Sequence, residues 1–148
     1  MKAIEATRRS LVAIRPDAPV QEAAQLMVQA NVGSLVVLDE GRLVGIVTDR
    51  DLVRRALARG LNRDARVDGV MTMPVHTIDG RSDLHCAFGL FRRHGVRRLV
   101  VVEGDVVTGM LTVDDLLIDL ASDLFDLARP IEGEMLLGHH DAAAPATM

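Results

Sequence analysis

A shift of 64 positions lays the chain over itself without a gap. Ile14 falls on Ile78, and Val20, Ala23, Ala24 and Met27 fall on Leu84, Ala87, Phe88 and Phe91. Leu35-Val36-Val37 falls on Leu99-Val100-Val101, and Gly45 on Gly109. Thr48 with Asp51-Leu52 falls on Thr112 with Asp115-Leu116. A match that aligns turns, helix faces and polar residues in one register marks an internal duplication. The chain therefore has to fold as two copies of one unit.

Each unit can be read from its patterning. Leu11-Val12-Ala13-Ile14 is strand-like and ends at Arg15-Pro16-Asp17. Asp17 and Pro19 predict a cap and a first-turn proline. Val20, Ala23, Ala24 and Met27 then occupy one helical face, and Asn31 ends that helix. Leu35 to Leu38 predicts a buried strand, Asp39-Glu40-Gly41-Arg42 a turn, and Leu43 to Val47 the returning strand. A second helix is expected from Thr48 to about Arg59, with Gly60 as its stop.

The unit is thus strand, helix, strand, strand, helix. The expected boundaries are 7–62 for the first repeat, 63–70 for a linker and 71–128 for the second repeat with an extended last helix. A partly disordered tail is expected over 129–148, in which Ile131 to Leu137 is a short apolar segment. Neither unit could bury both its sheet and its helices alone. The expected fold is α/β (α+β), two βαββα repeats packed sheet to sheet about a pseudo-twofold axis.

Composition narrows the function classes. Of the 148 residues 49% are hydrophobic, yet there are three Phe and no Trp or Tyr, so Val, Leu, Ile, Met and Ala must fill the core. A net charge of −4 disfavours a general nucleic-acid or membrane-surface binder. A single cysteine, Cys86, cannot close an internal disulfide, which suits a reducing cytoplasm. It aligns with Glu22, on the expected outer side of its helix. No apolar run is long enough to span a membrane, and the N-terminus carries no signal-peptide pattern. The expectation is a soluble cytoplasmic domain.

The residues with chemical potential sit in the paired blocks Gly45-Ile46-Val47-Thr48-Asp49-Arg50-Asp51-Leu52 and Gly109-Met110-Leu111-Thr112-Val113-Asp114-Asp115-Leu116. Thr-x-x-Asp at a helix start permits two readings. It is close to a capping box, although Glu or Gln usually takes the fourth place and Asp reaches back less well. It also brings a carboxylate able to accept from a cis-diol to a helix N-terminus, whose free N–H groups suit phosphate. Other constellations are thinner. Arg92-Arg93-His94 with Arg97-Arg98 is basic but lacks the interleaved aromatics of a single-strand platform. His139-His140 is a weak metal candidate. Nothing resembles a nucleophile with its base or a catalytic carboxylate pair.

With its duplicated Gly-x-x-Thr-x-x-Asp-Leu blocks, the strands ahead of them and Gly95-Val96-Arg97-Arg98-Leu99-Val100-Val101-Val102, the sequence resembles a tandem pair of cystathionine β-synthase (CBS) domains, a Bateman module. The likeness covers roughly residues 7 to 122, and it departs in having no Pro in the second strand. It implies a non-enzymatic regulatory module. Such a module binds adenosine-containing ligands (AMP, ADP, ATP, S-adenosylmethionine or NAD) between the repeats, with no cofactor or metal required.

By that resemblance one cleft uses Ile46, Thr48, Arg50 and Asp51, with His76, Thr77, Val96, Arg97 and Arg98 opposite. The other uses Met110, Thr112, Asp114 and Asp115, with Val12, Ala13, Val32, Gly33 and Ser34. Three Arg in the first cleft against Asp114, Gly33 and Ser34 in the second predict that a phosphorylated ligand binds at Asp51. The Asp115 cleft would be empty or hold a ligand without phosphate. The expected partners are the nucleotide, a second copy in a homodimer built from helix faces, and a regulated protein. The rival reading is a structural dimerisation module; nucleic-acid binding is a distant third.

Overall fold

The computed structural model describes residues 1–7 and 11–138, with side chains of 132 and 134–138 left aside. In the first repeat β1 (Ala13–Ile14) leads to α1 (Val20–Ala30), β2 (Ser34–Asp39) and β3 (Arg42–Thr48). Helix α2 follows, an α-helical turn at Asp49–Asp51 running on as π-helical turns at Leu52–Leu57. The second repeat has β4 (Thr77–Asp79), α3 (Leu84–His94), β5 (Arg98–Glu103), β6 (Val106–Thr112) and α4 (Val113–Gly138). Each half forms a three-stranded sheet in which the first strand runs parallel to the second and the second antiparallel to the third.

The duplication holds to the register. Ser34 pairs with Thr48, and Arg98 with Thr112. Both hairpins carry an irregularity, between Val37 and Leu38 and between Val101 and Val102. Strand periodicity sends Leu35 and Val37 to α1, and Leu99 and Val101 to α3. Val36 and Val100 lie on the opposite faces and are also fully buried, outside both helix-facing clusters. Both faces of each sheet are therefore covered, as two repeats packed sheet to sheet require.

The stretch expected to be a linker is more than a connection. Residues 66–70 include a 3-10 turn, Val67–Gly69, and place Val67 and Val70 in the core of the first repeat. The N-terminal turn Ala3–Ala6 places Ala3 and Ala6 in the core of the second. Position 3 shifted by 64 is position 67, so equivalent leaders are exchanged between the repeats. The leaders also satisfy helix ends: Val20 N–H donates to the Ala65 carbonyl at 2.8 Å and Leu84 N–H to the Met1 carbonyl at 3.2 Å.

This explains a corrected cap. Asp17 does not cap α1; it pairs with Arg15 at 3.0 Å, because α1 starts only at Val20 and Pro19 holds the N-cap place. Asp83, the counterpart of Pro19, does cap α3, accepting from Cys86 N–H at 3.1 Å, and that bond holds its carboxyl below the usual carboxylate range. Cys86 is exposed. Asn31 closes α1 in the left-handed region, as expected. The last helix does not stop at Arg129-Pro130: α4 continues through Pro130 to Gly138, taking in Ile131 to Leu137. The remainder of the expected tail, from His139 with His140 onward, lies outside the described residues.

Gly45 marks a close approach of Met71 and Thr72, just beyond the expected linker, to the first sheet. A Cβ there would lie 2.9 Å from Met71 Cγ and 3.3 Å from the Thr72 carbonyl oxygen. Backbone on one side limits the relief available, so Gly45→Ala should cost about 1–3 kcal/mol. Urea denaturation checks this, and an unchanged midpoint would show that this segment yields freely.

Candidate functional site

Two clefts open between the repeats, each at one Thr-x-x-Asp motif. Both motifs stand where a sheet's last strand turns into a helix, so hydroxyl, carboxylate and helix N-terminus arrive together. The two are not in the same state.

At the first motif the capping box is complete. Asp51 N–H donates to Thr48 Oγ1 at 3.1 Å, and Thr48 N–H donates to Asp51 Oδ2 at 3.0 Å. Asp therefore does reach back, contrary to the expectation from its length. The Thr72 hydroxyl lies 3.4 Å from both Asp51 oxygens, and Arg55 Nε lies 3.8 Å from Oδ1. Arg55 also donates to the carbonyls of Val70 and Met71, at 3.3 and 2.9 Å. The Asp51 carboxylate is thus committed to its own helix and to Thr72 just beyond the linker.

The second motif is half a box. Asp115 N–H donates to Thr112 Oγ1 at 3.1 Å, but among the described residues no return bond from Thr112 N–H to the Asp115 carboxylate is found. Asp115 is 3% exposed, and its Oδ2 has no hydrogen-bond partner among the described residues. A buried acceptor without a partner costs about 1–3 kcal/mol, so this oxygen adds no hydrogen bond to the fold to offset its burial.

The cleft at Asp115 contains about 720 Å³ of space, its mouth included. Val12, Val32, Gly33, Ser34, Met110, Thr112, Asp114 and Asp115 line it as expected, with Leu11 in addition. Ser34 Oγ donates to Met110 Sδ at 3.1 Å, a direct contact between the repeats. Two further lining residues correct the predicted asymmetry: Arg97 and Arg98. Arg98 is the cross-strand neighbour of Thr112, which carries it to its own repeat's motif. Arg97 forms an ion pair with Asp114 at 2.8 Å, so the extra carboxylate does not stand alone.

The cleft at Asp51 holds about 690 Å³ on the same measure. It gathers Ile46, Thr48, Asp51, His76, Val96, Arg97 and Arg98, and adds Thr72, Pro74, Val75 and Val100. Arg50 is exposed and lines neither cleft. The three-guanidinium clamp is therefore absent, and the two remaining Arg are common to both clefts. Ala13 and Thr77, equivalent by the 64-residue shift, also line neither; Ala13 borders an outer groove with Arg15 and Asp17, and Thr77 another with Arg42 and Asp105. Successive strand residues point to opposite sides, so Val12 and His76 enter the clefts while their successors cannot. Leu11 and Val75 were legible, since they also correspond by the shift. Thr72 carried no local signal. The basic cluster divides as well: His94 stacks on His76 with ring centroids 4.0 Å apart, and Arg92 and Arg93 stay on the surface.

The family model for the CBS domain matches residues 2–58 and 67–122. The chain belongs to the CBS domain family. Both matches take in the exchanged leaders. The CBS domain-containing protein YhcV of Bacillus subtilis is 33% identical over 124 residues, covering 83% of this chain and 89% of that protein. A conserved protein of Pyrococcus horikoshii has a crystal structure that superimposes with a TM-score of 0.72 at 31% identity, over 80% of this chain and 90% of that one. A CBS domain protein of Pyrobaculum aerophilum, solved in complex with AMP, superimposes with a TM-score of 0.71 at 28% identity, over 82% of this chain and 99% of that one. This chain is accordingly a CBS domain pair. No described helix is long and apolar enough to cross a membrane.

Proposed function

We propose that this CBS pair is a non-enzymatic sensor of an adenosine-containing ligand, and that the ligand binds in the Asp115 cleft. The observation that carries the reading is the buried, unpartnered Oδ2 of Asp115. A ribose brings two adjacent hydroxyls, and a carboxylate oxygen waiting for a donor is what a cis-diol satisfies. Thr112 and the N-terminus of α4 face the same space, where roughly half a positive charge favours phosphate. Arg97 and Arg98 add guanidinium groups suited to phosphate oxygens. The base would pack on Val12, Val32 and Met110, because the cleft has no aromatic ring. The AMP complex of the Pyrobaculum aerophilum protein supports this ligand class.

The placement reverses the sequence-based preference for Asp51. There the carboxylate already has its bonds, and a structural cap describes that motif better. A ligand seated between the repeats would favour one relative angle of the two sheets and pass that change to a regulated protein.

Thermal shift with AMP, ATP, S-adenosylmethionine and NAD tests the reading. A bound ligand at about 100-fold its Kd should stabilise by roughly 2.7 kcal/mol, which for a chain of this size raises Tm by about 5–10 °C. No shift with any of the four would remove the sensor reading and favour a structural module.

A further inference from the structure

The charges that line the Asp115 cleft cancel among the described residues. It has two cations, Arg97 and Arg98, and two anions, Asp114 and Asp115. The four are not equally available. Asp115 is 3% exposed with Oδ2 open to a donor, and the ligand reading gives that oxygen to the ribose. Asp114 is exposed, and its Oδ1 holds Arg97 Nη2 at 2.8 Å. Arg98 forms no ion pair among the described residues, and the ladder sets it opposite Thr112. One guanidinium is therefore uncommitted, beside one helix N-terminus.

Successive residues of a helix point about 100° apart, so Asp115 turns into the domain while Asp114 stays at the cleft's mouth. The equivalent position in the first repeat is Arg50, which lines neither cleft. A negative charge beside the buried carboxylate is thus particular to the second motif. A single phosphate carries about −1.5 to −2 charges at neutral pH. Arg98 and the roughly half positive charge of the α4 N-terminus come close to matching it.

We propose that Asp114 is a specificity-determining residue, by which the Asp115 cleft selects an adenosine ligand with one phosphate over one with three. The inference rests on the placement of the ligand at Asp115 and names the class within it. Asp114 works in two ways. It occupies Arg97, which reaches a phosphate only by leaving it, and it repels the outer phosphates of a longer chain at the mouth. Selection of this kind uses a repulsive element as well as an attractive one. The side chains of Arg97 and Asp114 are 70% and 68% exposed, and exposed pairs add little to stability. Removing the pair therefore alters the choice of ligand and not the fold.

Calorimetric titration of the full chain with adenosine, AMP and ATP, in magnesium-free buffer at low salt, tests it. Wild type should bind AMP about tenfold or more tighter than ATP. Asp114→Asn should reduce that preference about tenfold, by tightening ATP more than AMP, with an unchanged melting temperature. Arg98→Gln should weaken AMP about tenfold more than it weakens adenosine. Raised salt should narrow the gap between AMP and ATP, since exposed charges are screened. ATP binding as tightly as AMP to wild type would overturn the proposal while the ligand reading stands. So would an Asp114→Asn chain that keeps the wild-type preference, or an Arg98→Gln chain that loses AMP and adenosine equally. Binding of none of the three would remove the ligand reading and this inference with it.

Discussion

Replacing Asp115 with Ala is expected to abolish ligand-induced stabilisation and to leave the ligand-free protein as stable as wild type or more so. The two effects share one cause. Asp115 Oδ2 is buried and accepts no hydrogen bond among the described residues, so in the ligand-free state it contributes a desolvation cost of about 1–3 kcal/mol. Ala removes that cost together with the ribose acceptor. Asp51→Ala should behave in the opposite way. It breaks the bond from Thr48 N–H and the contacts with Thr72 and Arg55, lowering stability by about 1 kcal/mol while ligand affinity stays within a few-fold of wild type. Calorimetric titration combined with melting of both variants separates the motifs. Equal loss of binding in the two would sink the assignment to Asp115, and a strongly destabilised Asp115→Ala would mean that its carboxylate is structural.

The second large effect concerns the core. Leu99 is fully buried on the central strand of its sheet, opposite Leu111 in the ladder and within a cluster that includes Ile78, Ala87, Phe91 and the exchanged Ala3 and Ala6. Aliphatic residues carry this core: among the described residues Phe91 is its one buried aromatic, at 8% exposed, Phe88 is only partly buried against it and Phe125 stands outside it. Leu99→Ala should therefore cost about 2–5 kcal/mol, against a total that for domains of this size is roughly 5–15 kcal/mol. Leu35→Ala, the equivalent change in the first repeat, should cost a similar amount. Val28 is 82% exposed on α1, and Val28→Ala should stay within about 0.5 kcal/mol. Chemical denaturation of the three variants gives the comparison. A Leu99→Ala midpoint no lower than that of Val28→Ala would show that the leaders and strands close over the lost volume.

The sequence by itself determined the duplication, the order of strands and helices in each copy, and the position of both Thr-x-x-Asp motifs. These rest on local rules: strand alternation, helical spacing, turn residues and caps all act within a few positions of the chain. Most of the residues lining each cleft were legible too, through the family resemblance that the paired motifs carry. Only the tertiary structure decided how the two motifs differ. Asp51 and Asp115 stand in the same local pattern, but Asp51 returns a bond to Thr48 and meets Thr72 and Arg55, while Asp115 Oδ2 has no partner among the described residues. Thr72 reaches Asp51 from 21 positions away, a distance no local rule spans. Arg97 and Arg98 were read as belonging to one cleft, yet the β5–β6 ladder sets Arg98 beside Thr112 and the pair borders both. The exchange of leaders between repeats is likewise a matter of packing, since Val67 and Ala3 are buried by strands of the other copy. Local periodicity says which faces are apolar; which atoms meet across them depends on how the two copies dock.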